Sequence, residues 1–287
     1  MEEKIKGAKR GGFIYTATLL LFLAVALVSR TALSAFKASE IVSYAVSAVL
    51  NFTVFIIAVF VSAKHSIKTV YIRKCAYVHL FAAPVLALGM LLGLGFVNSL
   101  VSDGVQSIGG RIAEPQIPLE NAFQLVLFSI LLCILPAIGE ELFFRGVIAE
   151  STSGAGKVSG IITVALCFAV YHGSAAQLIY QFVYGLGLGV LALKAKSLLP
   201  TMIAHFVNNF AVLAIEYFKI PLDLFSPVII SVGIALLILF AVIMFVPRAR
   251  SSEISGKTES IKNFYIPFGA VGIFAAVLMI VLSALPI

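Results

Sequence analysis

Residues 227–246 carry the sequence PVIISVGIALLILFAVIMFV, an uninterrupted run with no charged side chain. A helix of about 20 apolar residues is long enough to cross the hydrocarbon core of a bilayer. Because lipid offers no water to unpaired backbone groups, such a run must close its hydrogen bonds within the segment. The stretch therefore predicts a membrane-spanning α-helix.

The composition extends this prediction to the whole chain. Over 287 residues, 61% are hydrophobic and only 11% are charged, and the mean hydropathy is +1.10. These values lie far outside the range of soluble globular domains. We therefore predict an all-α fold, a polytopic integral membrane bundle of about eight to nine transmembrane helices.

The apolar runs and the residues that break them divide the chain into nine candidate spans. Their predicted ranges are 13–29, 41–62, 78–97, 122–148, 159–172, 176–193, 198–217, 227–246 and 265–285. The fifth span is short, and Gly173 with Ser174 predicts a turn into the sixth. If the fifth and sixth spans formed one re-entrant element, the number of spans would be smaller.

The basic residues indicate topology. A formal charge of +7 would suggest nucleic acid in a soluble protein, but here the basic residues fall in loops between apolar runs. With the N-terminus in the cytoplasm, only four of the 20 Lys and Arg residues fall outside. Those four are Arg30, Lys37, Arg111 and Lys219. We expect a plasma-membrane protein that contacts anionic lipid and does not bind nucleic acid.

The remaining segments predict a single membrane domain over residues 1–287. Segment 98–120 is the longest outer loop, and Gly104, Gly109 and Gly110 are expected to prevent a continuous helix there. It is either a lid or a linker. The first span also resembles a signal peptide, although its apolar run is long enough to span the membrane. The three cysteines have no CxxC spacing and predict neither a disulfide framework nor a zinc site.

Strongly polar side chains inside spans are costly unless they face a bundle interior or a water-filled cavity, so each is a functional candidate. This chain concentrates them in three neighbouring spans. The fourth span contains Glu140, Glu141 and Arg145, the fifth ends at His172, and the seventh carries His205, Asn208 and Asn209. These spans form a predicted catalytic core over about residues 122–217.

Helical spacing divides these residues by role. Glu141 and Arg145 are at i and i+4 and can pair, whereas Glu140 points about 100° away and stays free. His205 and Asn209 also lie at i and i+4 and share one helix face. Asn208 lies about 100° round the helix, so we expect its substitution to have a mild effect.

This set of residues can carry hydrolysis. A carboxylate beside an imidazole can deprotonate a water molecule. A second imidazole and a carboxamide can supply hydrogen-bond donors to the oxyanion that forms when water attacks a peptide carbonyl. The residue types therefore favour a hydrolase.

At these positions the chain resembles the type II CAAX prenyl endopeptidase family, also called the CAAX protease and bacteriocin-processing family. Its pattern is EExxxR, then FxxxH, then HxxxN. Here the three motifs are Glu140 to Arg145, Phe168 to His172, and His205 to Asn209, with order and spacing intact. One such motif alone would be weak, but three in order on adjacent spans are specific.

The resemblance implies an intramembrane endopeptidase. It implies that Glu140 and His172 activate water, that His205 and Asn209 stabilise the oxyanion, and that Glu141 and Arg145 are supporting residues. It also implies that substrates are prenylated C-terminal tails, leader peptides or bacteriocin-related peptides, and nothing in the chain selects among these.

Depth gives a partial check on the site. Counted from the span ends, Glu140, His205 and Asn209 fall in the cytoplasmic leaflet, so we expect cleavage near the cytoplasmic face. His172 falls about 20 Å deep, below the others, and would need an extended or tilted fifth helix to reach them.

Two alternatives stay open. One Glu with two His could instead hold zinc, although no HExxH occurs and asparagine is an uncommon zinc ligand, so we expect no cofactor. A non-catalytic scaffold, bacteriocin-immunity protein or transporter could use the same polar cavity only for binding. The chain shows no internal repeat of the kind common in transporters.

Overall fold

The structure is a computed structural model that describes residues 2–64, 72–112, 117–245, 259–265 and 269–284. All regular secondary structure in these ranges is helical, which confirms the predicted all-α class. The inner loops at 65–71 and 246–258, on which part of the charge prediction rests, lie outside the described residues, as do residues 113–116.

Eleven helices are numbered here in chain order. They are α1 (Glu2–Ala35), α2 (Glu40–Lys64), α3 (Tyr77–Leu94), α4 (Phe96–Ser107), α5 (Ala122–Ala155), α6 (Lys157–Tyr171), α7 (Leu178–Ala195), α8 (Leu199–Tyr217), α9 (Pro227–Phe245), α10 (Glu259–Phe264) and α11 (Ala270–Ala284).

Within the described ranges, seven helical segments are long and apolar enough to cross a membrane. The predicted fifth and ninth spans correspond to α6 and α11, which have 15 residues each. At 1.5 Å per residue such a helix covers only about 22 Å, less than the hydrocarbon core. The turn predicted at Gly173 is present, with a positive φ of 61°.

The prediction of a loop over residues 98–120 is wrong in its first half. The third span continues through Gly95 into α4, which ends at Ser107. Gly104 lies inside this helix because one glycine costs a helix only about 1 kcal/mol. The connection between α4 and α5 therefore begins at residue 108.

The N-terminal helix belongs to the core of the bundle. Tyr15 and Leu19 are fully buried, and the Tyr15 hydroxyl donates to the carbonyl of Cys167 on α6 at 3.2 Å. Farther along α1, the rings of Phe22 and Tyr171 lie 4.7 Å apart. These contacts show that α1 and α6 run parallel and side by side.

Helix α5 is a continuous helical segment with two widened stretches. It begins at a capping box in which the Asn121 side chain accepts from the Gln124 backbone N–H. It is π-helical over Ser129–Ile134 and again over Leu142–Ile148. Single π-helical stretches within α-helices often occur at functional sites.

Helices α6 and α7 form a short hairpin whose turn is recessed. Phe55 on α2 packs against Tyr171 at 5.1 Å, as Phe22 does on α1. Both α1 and α2 continue about 20 Å beyond this level before they meet at residues 36–39. The α6–α7 turn therefore lies about 20 Å below the α1–α2 connection, and we call the region between these two levels the recess.

Candidate active site

Four helices bring the predicted residues together in the middle of the bundle. Helix α5 contributes Glu140, Glu141 and Arg145, and His172 follows the last residue of α6. Helix α8 contributes His205 and Asn209. Helix α7 adds a face of tyrosines, described below.

The first part of the site is a buried ion-pair network around Glu141. Arg145 Nη1 donates to Glu141 Oε1 at 2.8 Å, so the pair expected from i, i+4 spacing is present. His205 Nδ1 lies 3.0 Å from the same carboxylate oxygen. Both Glu141 and Arg145 are almost completely shielded from solvent.

Phe168 forms the centre of this network. The Arg145 guanidinium lies 4.2 Å above its ring, and its edge packs against His172 and His205 with centroid distances of 4.7 and 5.9 Å. A guanidinium over an aromatic face is attracted by the ring quadrupole. The phenylalanine of the second motif therefore fixes the relative positions of the two histidines and the arginine.

The second part of the site is Glu140 with His172. Glu140 Oε2 lies 4.0 Å from His172 Nε2. Glu140 Oε2 is shielded from solvent and makes no hydrogen bond in the structure. The two side chains thus face each other across a gap too wide for a direct hydrogen bond.

The surroundings of His172 fix its tautomer. Its Nδ1 lies 2.8 Å from the backbone carbonyl of Phe168, which can only accept a hydrogen bond. Nδ1 must therefore carry the proton, and in the neutral ring Nε2 presents a lone pair toward Glu140. Two hydrogen-bond acceptors, Glu140 Oε2 and His172 Nε2, therefore face the same gap between the two side chains.

The same reasoning applies to His205. Because Nδ1 faces the Glu141 carboxylate, Nδ1 carries a proton. Nε2 is then an acceptor in the neutral ring and becomes a donor only when the ring is doubly protonated. The role implied for His205 as an oxyanion donor requires this imidazolium form.

The Asn209 side chain makes a hydrogen bond to the backbone of α5. Its Nδ2 donates to the backbone carbonyl of Leu132 at 3.1 Å. In an α-helix that carbonyl would accept from residue 136, which is proline and has no N–H. Leu132 lies in the π-helical stretch, and the carboxamide of Asn209 adds a hydrogen bond to its carbonyl where Pro136 can supply no N–H.

Helix α7 supplies residues whose contacts the sequence analysis did not predict. The Tyr180 hydroxyl donates to Asn208 Oδ1 at 2.6 Å, and Asn208 Nδ2 donates to Asn209 Oδ1 at 3.3 Å. The hydroxyl of Tyr184, buried beside His205, makes no hydrogen bond. The i, i+4 spacing of Tyr180 and Tyr184 was a signal for a polar face, but aromatic residues at that spacing usually serve packing.

Asn208 therefore differs from its expected role as a mild control position. It is buried and bonded on both sides of its carboxamide. Helical angle alone predicted that it would face away from the site. It faces α7 instead, and α7 adjoins the site.

The close approach of α7 depends on small residues, as expected from its glycines. A Cβ on Gly185 would lie 3.0 Å from the Ala165 Cα, and one on Gly189 would lie 2.9 Å from Ile161 Cγ2. The carbonyl of Gly185 accepts from Arg145 Nη2 at 3.4 Å. The glycine thus lets α7 approach α6 and reach the ion-pair network.

The expected depth of the site changes in the structure. Helix α5 continues to Ala155, so Glu140 lies about 22 Å from its end and not near the cytoplasmic end of a span. His172 lies a similar distance along α6 from Lys157. The two residues meet near the middle of the bundle, and α6 needs neither the extension nor the tilt that the sequence required.

Two cavities lie near the site. A polar cavity of about 610 Å³ between α1 and α2 is lined by residues that include Arg30, Lys37 and Asn51. Asn51 precedes Phe52, whose ring contacts the position of Gly139 beside Glu140. An apolar cavity of about 420 Å³ between α5, α6 and α7 reaches Arg145.

Among the residues that the structure describes, no three His, Cys, Asp or Glu side chains converge in a group that could hold a metal ion. Glu141 and His205 form one pair, and Glu140 and His172 form another.

Residues 122–211 match the family model described as type II CAAX prenyl endopeptidase Rce1-like. The resemblance drawn from the three motifs is confirmed by this match, which contains every residue of the site. The family is one of proteases. No curated protein and no solved structure matches the chain.

Proposed function

We propose that this protein is an intramembrane endopeptidase in which Glu140 and His172 activate a water molecule. The observation that carries the proposal is the pair of converging acceptors, Glu140 Oε2 and His172 Nε2, 4.0 Å apart. A water 2.8 Å from each would subtend an angle of about 90°, close to the angle between its two O–H bonds. One water can therefore donate to both groups.

The reaction then follows from the protonation states. As the water oxygen attacks the peptide carbonyl carbon, one water proton passes to the Glu140 carboxylate. The carbonyl becomes an oxyanion on a tetrahedral carbon. The C–N bond breaks as Glu140 returns the proton to the leaving amine, and the products are a carboxylic acid and an amine.

The oxyanion is stabilised from α8. Asn209 uses one N–H on the Leu132 carbonyl and retains a second for the oxyanion. The Glu141 carboxylate stabilises the doubly protonated ring of His205, whose Nε2–H is the other donor. Donors held in place before the reaction are worth more than donors that must reorient.

The substrate is a peptide or a lipidated protein. The family match supports prenylated tails, and the wider family resemblance adds leader peptides and bacteriocin-related peptides. In this proposal a peptide reaches Glu140 and His172 through the recess above the α6–α7 turn. The zinc peptidase and the binding scaffold are outcomes of the tests.

The side of the membrane from which a substrate reaches the recess depends on how the protein is oriented in the membrane. The recess opens at the end of the bundle opposite the N-terminus of α1. With a cytoplasmic N-terminus, as the loop charges indicate, this end faces outside. A substrate that enters through the recess would then come from outside, whereas the opposite orientation would let it enter from the cytoplasm.

The direct test of the reaction is peptide cleavage in water labelled with ¹⁸O. The purified protein in vesicles is incubated with prenylated and unprenylated peptides, and the products are examined by mass spectrometry. We expect two fragments, with one ¹⁸O in the new carboxyl group. Binding without fragments at any enzyme concentration would contradict the proposal and favour the scaffold.

An experiment with chelators distinguishes the metal-free mechanism from the zinc-dependent one. With EDTA or phenanthroline present, we expect turnover to be unchanged. Loss of cleavage that added zinc restores would make Glu and His residues of the site metal ligands, contradicting the metal-free mechanism.

A further inference from the structure

A chain of hydrogen bonds joins α7, α8 and α5 at the end of the site occupied by Asn209. It runs from the Tyr180 hydroxyl to Asn208, from Asn208 to Asn209, and from Asn209 to the Leu132 carbonyl. Tyr180 and Asn208 are buried. The role assigned to Asn209 does not account for either residue.

The direction of the whole chain is fixed at its α5 end. The Leu132 carbonyl can only accept, so the nitrogen of the Asn209 carboxamide must face it. The Asn209 oxygen then faces Asn208, which must present its nitrogen. The Asn208 oxygen in turn faces Tyr180, whose hydroxyl must donate. No amide in the chain can be reversed without placing like groups against each other.

This order matters for an oxyanion donor. A carboxamide can rotate by 180° and exchange its donor and acceptor ends at little cost when nothing holds it. Here rotation of Asn209 would direct its oxygen toward both the Leu132 carbonyl and any oxyanion. A hydrogen bond accepted from Asn208 prevents that rotation, and Tyr180 holds Asn208 in turn.

We propose that Tyr180 and Asn208 are positioning residues that hold the Asn209 carboxamide so that its second N–H is directed toward the reacting carbonyl. The proposal rests on the proposed function and extends it to two residues outside the three motifs. Both act through Asn209 and neither needs to contact the substrate.

The 2.6 Å bond from Tyr180 distinguishes this role from packing. Phenylalanine would fill the same space beside Tyr184, whose ring centroid lies 6.1 Å from that of Tyr180. It would leave the Asn208 oxygen buried without a donor. If Tyr180 positions Asn209 through Asn208, Tyr180→Phe should lower cleavage activity. If Tyr180 serves only packing, the same substitution should not.

The test measures cleavage by Tyr180→Phe alone and in an Asn209→Ala background. We expect kcat of Tyr180→Phe to fall about 5- to 10-fold, the equivalent of one hydrogen bond, with KM nearly unchanged. In the Asn209→Ala background the same change should have no further effect, because nothing remains to be positioned. Equal losses in both backgrounds would overturn the proposal.

A matched control removes a hydroxyl elsewhere. Tyr265→Phe deletes a hydroxyl that donates to Thr163 Oγ1 at 3.2 Å, away from the site. It should leave kcat at the wild-type value. A loss equal to that of Tyr180→Phe would show that any such deletion weakens the enzyme, and would also overturn the proposal.

The substitution Asn208→Asp tests the hydrogen bond that Asn208 donates to Asn209. The carboxylate can still accept from Tyr180 but cannot donate to the Asn209 oxygen. We expect a larger fall in kcat than for Tyr180→Phe, measured on protein whose melting shows that it is folded. If wild-type protein cleaves no peptide, the proposed function fails; if wild type cleaves and these variants equal it, only the positioning role fails.

Discussion

Arg145 is the residue for which burial decides the size of the expected effect. It is paired with Glu141, lies over Phe168 and is almost fully shielded from solvent. Removing one partner of a buried pair leaves an uncompensated charge and costs about 3–5 kcal/mol. We therefore expect Arg145→Met to lower the melting temperature strongly, as measured by thermal unfolding in detergent.

The exposed Arg111 gives the control for that change. Arg111→Met should alter stability by no more than about 0.5 kcal/mol. If Arg145→Met instead melted like wild type and lost only cleavage, Arg145 would contact the substrate, and its structural role would be wrong.

Single residues also show which contacts can be predicted from the sequence and which cannot. The spacing of Glu141 and Arg145 predicted their pairing, because i, i+4 geometry is local. The bond from Asn209 to Leu132 could not be predicted, because it depends on how two distant helices pack. The contacts of Asn208 could not be predicted for the same reason: its angle on α8 was right, but sequence alone does not show that α7 packs beside it.

At the scale of helices, Pro136 removes from α5 the N–H that an α-helix would direct to the Leu132 carbonyl, which accepts from Asn209 on α8. With alanine at this position, the N–H of residue 136 would compete with Asn209 for the Leu132 carbonyl. We expect Pro136→Ala to lower kcat about tenfold while leaving the melting temperature unchanged or higher, since alanine is the better helix former. Steady-state cleavage and thermal unfolding measure the two effects.

Pro84 is a second proline within a helix, in α3, and provides the comparison. Pro84→Ala should leave kcat unaltered. Normal turnover in Pro136→Ala would mean that Asn209 does not depend on this carbonyl for its orientation.

The helices themselves were predicted more closely than their ends. Apolar runs located the spans, because lipid forces a helix on any long run. The ends of α4 and α5 were missed, since Gly104 was taken as a breaker and the fourth span was ended at residue 148, whereas α5 continues to Ala155. In both cases the helix was predicted to end too early. The early end predicted for α5 placed Glu140 too near the predicted cytoplasmic end of its span.

For the whole molecule, the orientation in the membrane is the property that decides access. Lys37 lies in the α1–α2 connection beside the recess, and Lys157 begins α6 at the opposite end. Both are exposed. We expect Lys37→Cys to react with an impermeant thiol reagent in intact cells and Lys157→Cys to react only after permeabilisation, because the loop charges predict a cytoplasmic N-terminus.

The native cysteines allow this measurement with one background change. Cys133 and Cys167 are buried, and the partly exposed Cys75 can be replaced by serine. The opposite labelling pattern would place the N-terminus outside. The recess would then face the cytoplasm, and the expected cleavage near that face would stand.

The measurement that tests the central claim most directly is the turnover of Glu140→Gln. Glutamine has nearly the same shape but cannot accept the proton of water, and loss of a general base costs about 10²- to 10⁴-fold in rate. Folding should be preserved, because Glu140 Oε2 makes no hydrogen bond in the structure. Glu216→Gln, the same change at an exposed position near the end of α8, should cleave at the wild-type rate. If Glu140→Gln, purified and folded, turned over peptide like Glu216→Gln, Glu140 would not be the base and the mechanism would be wrong.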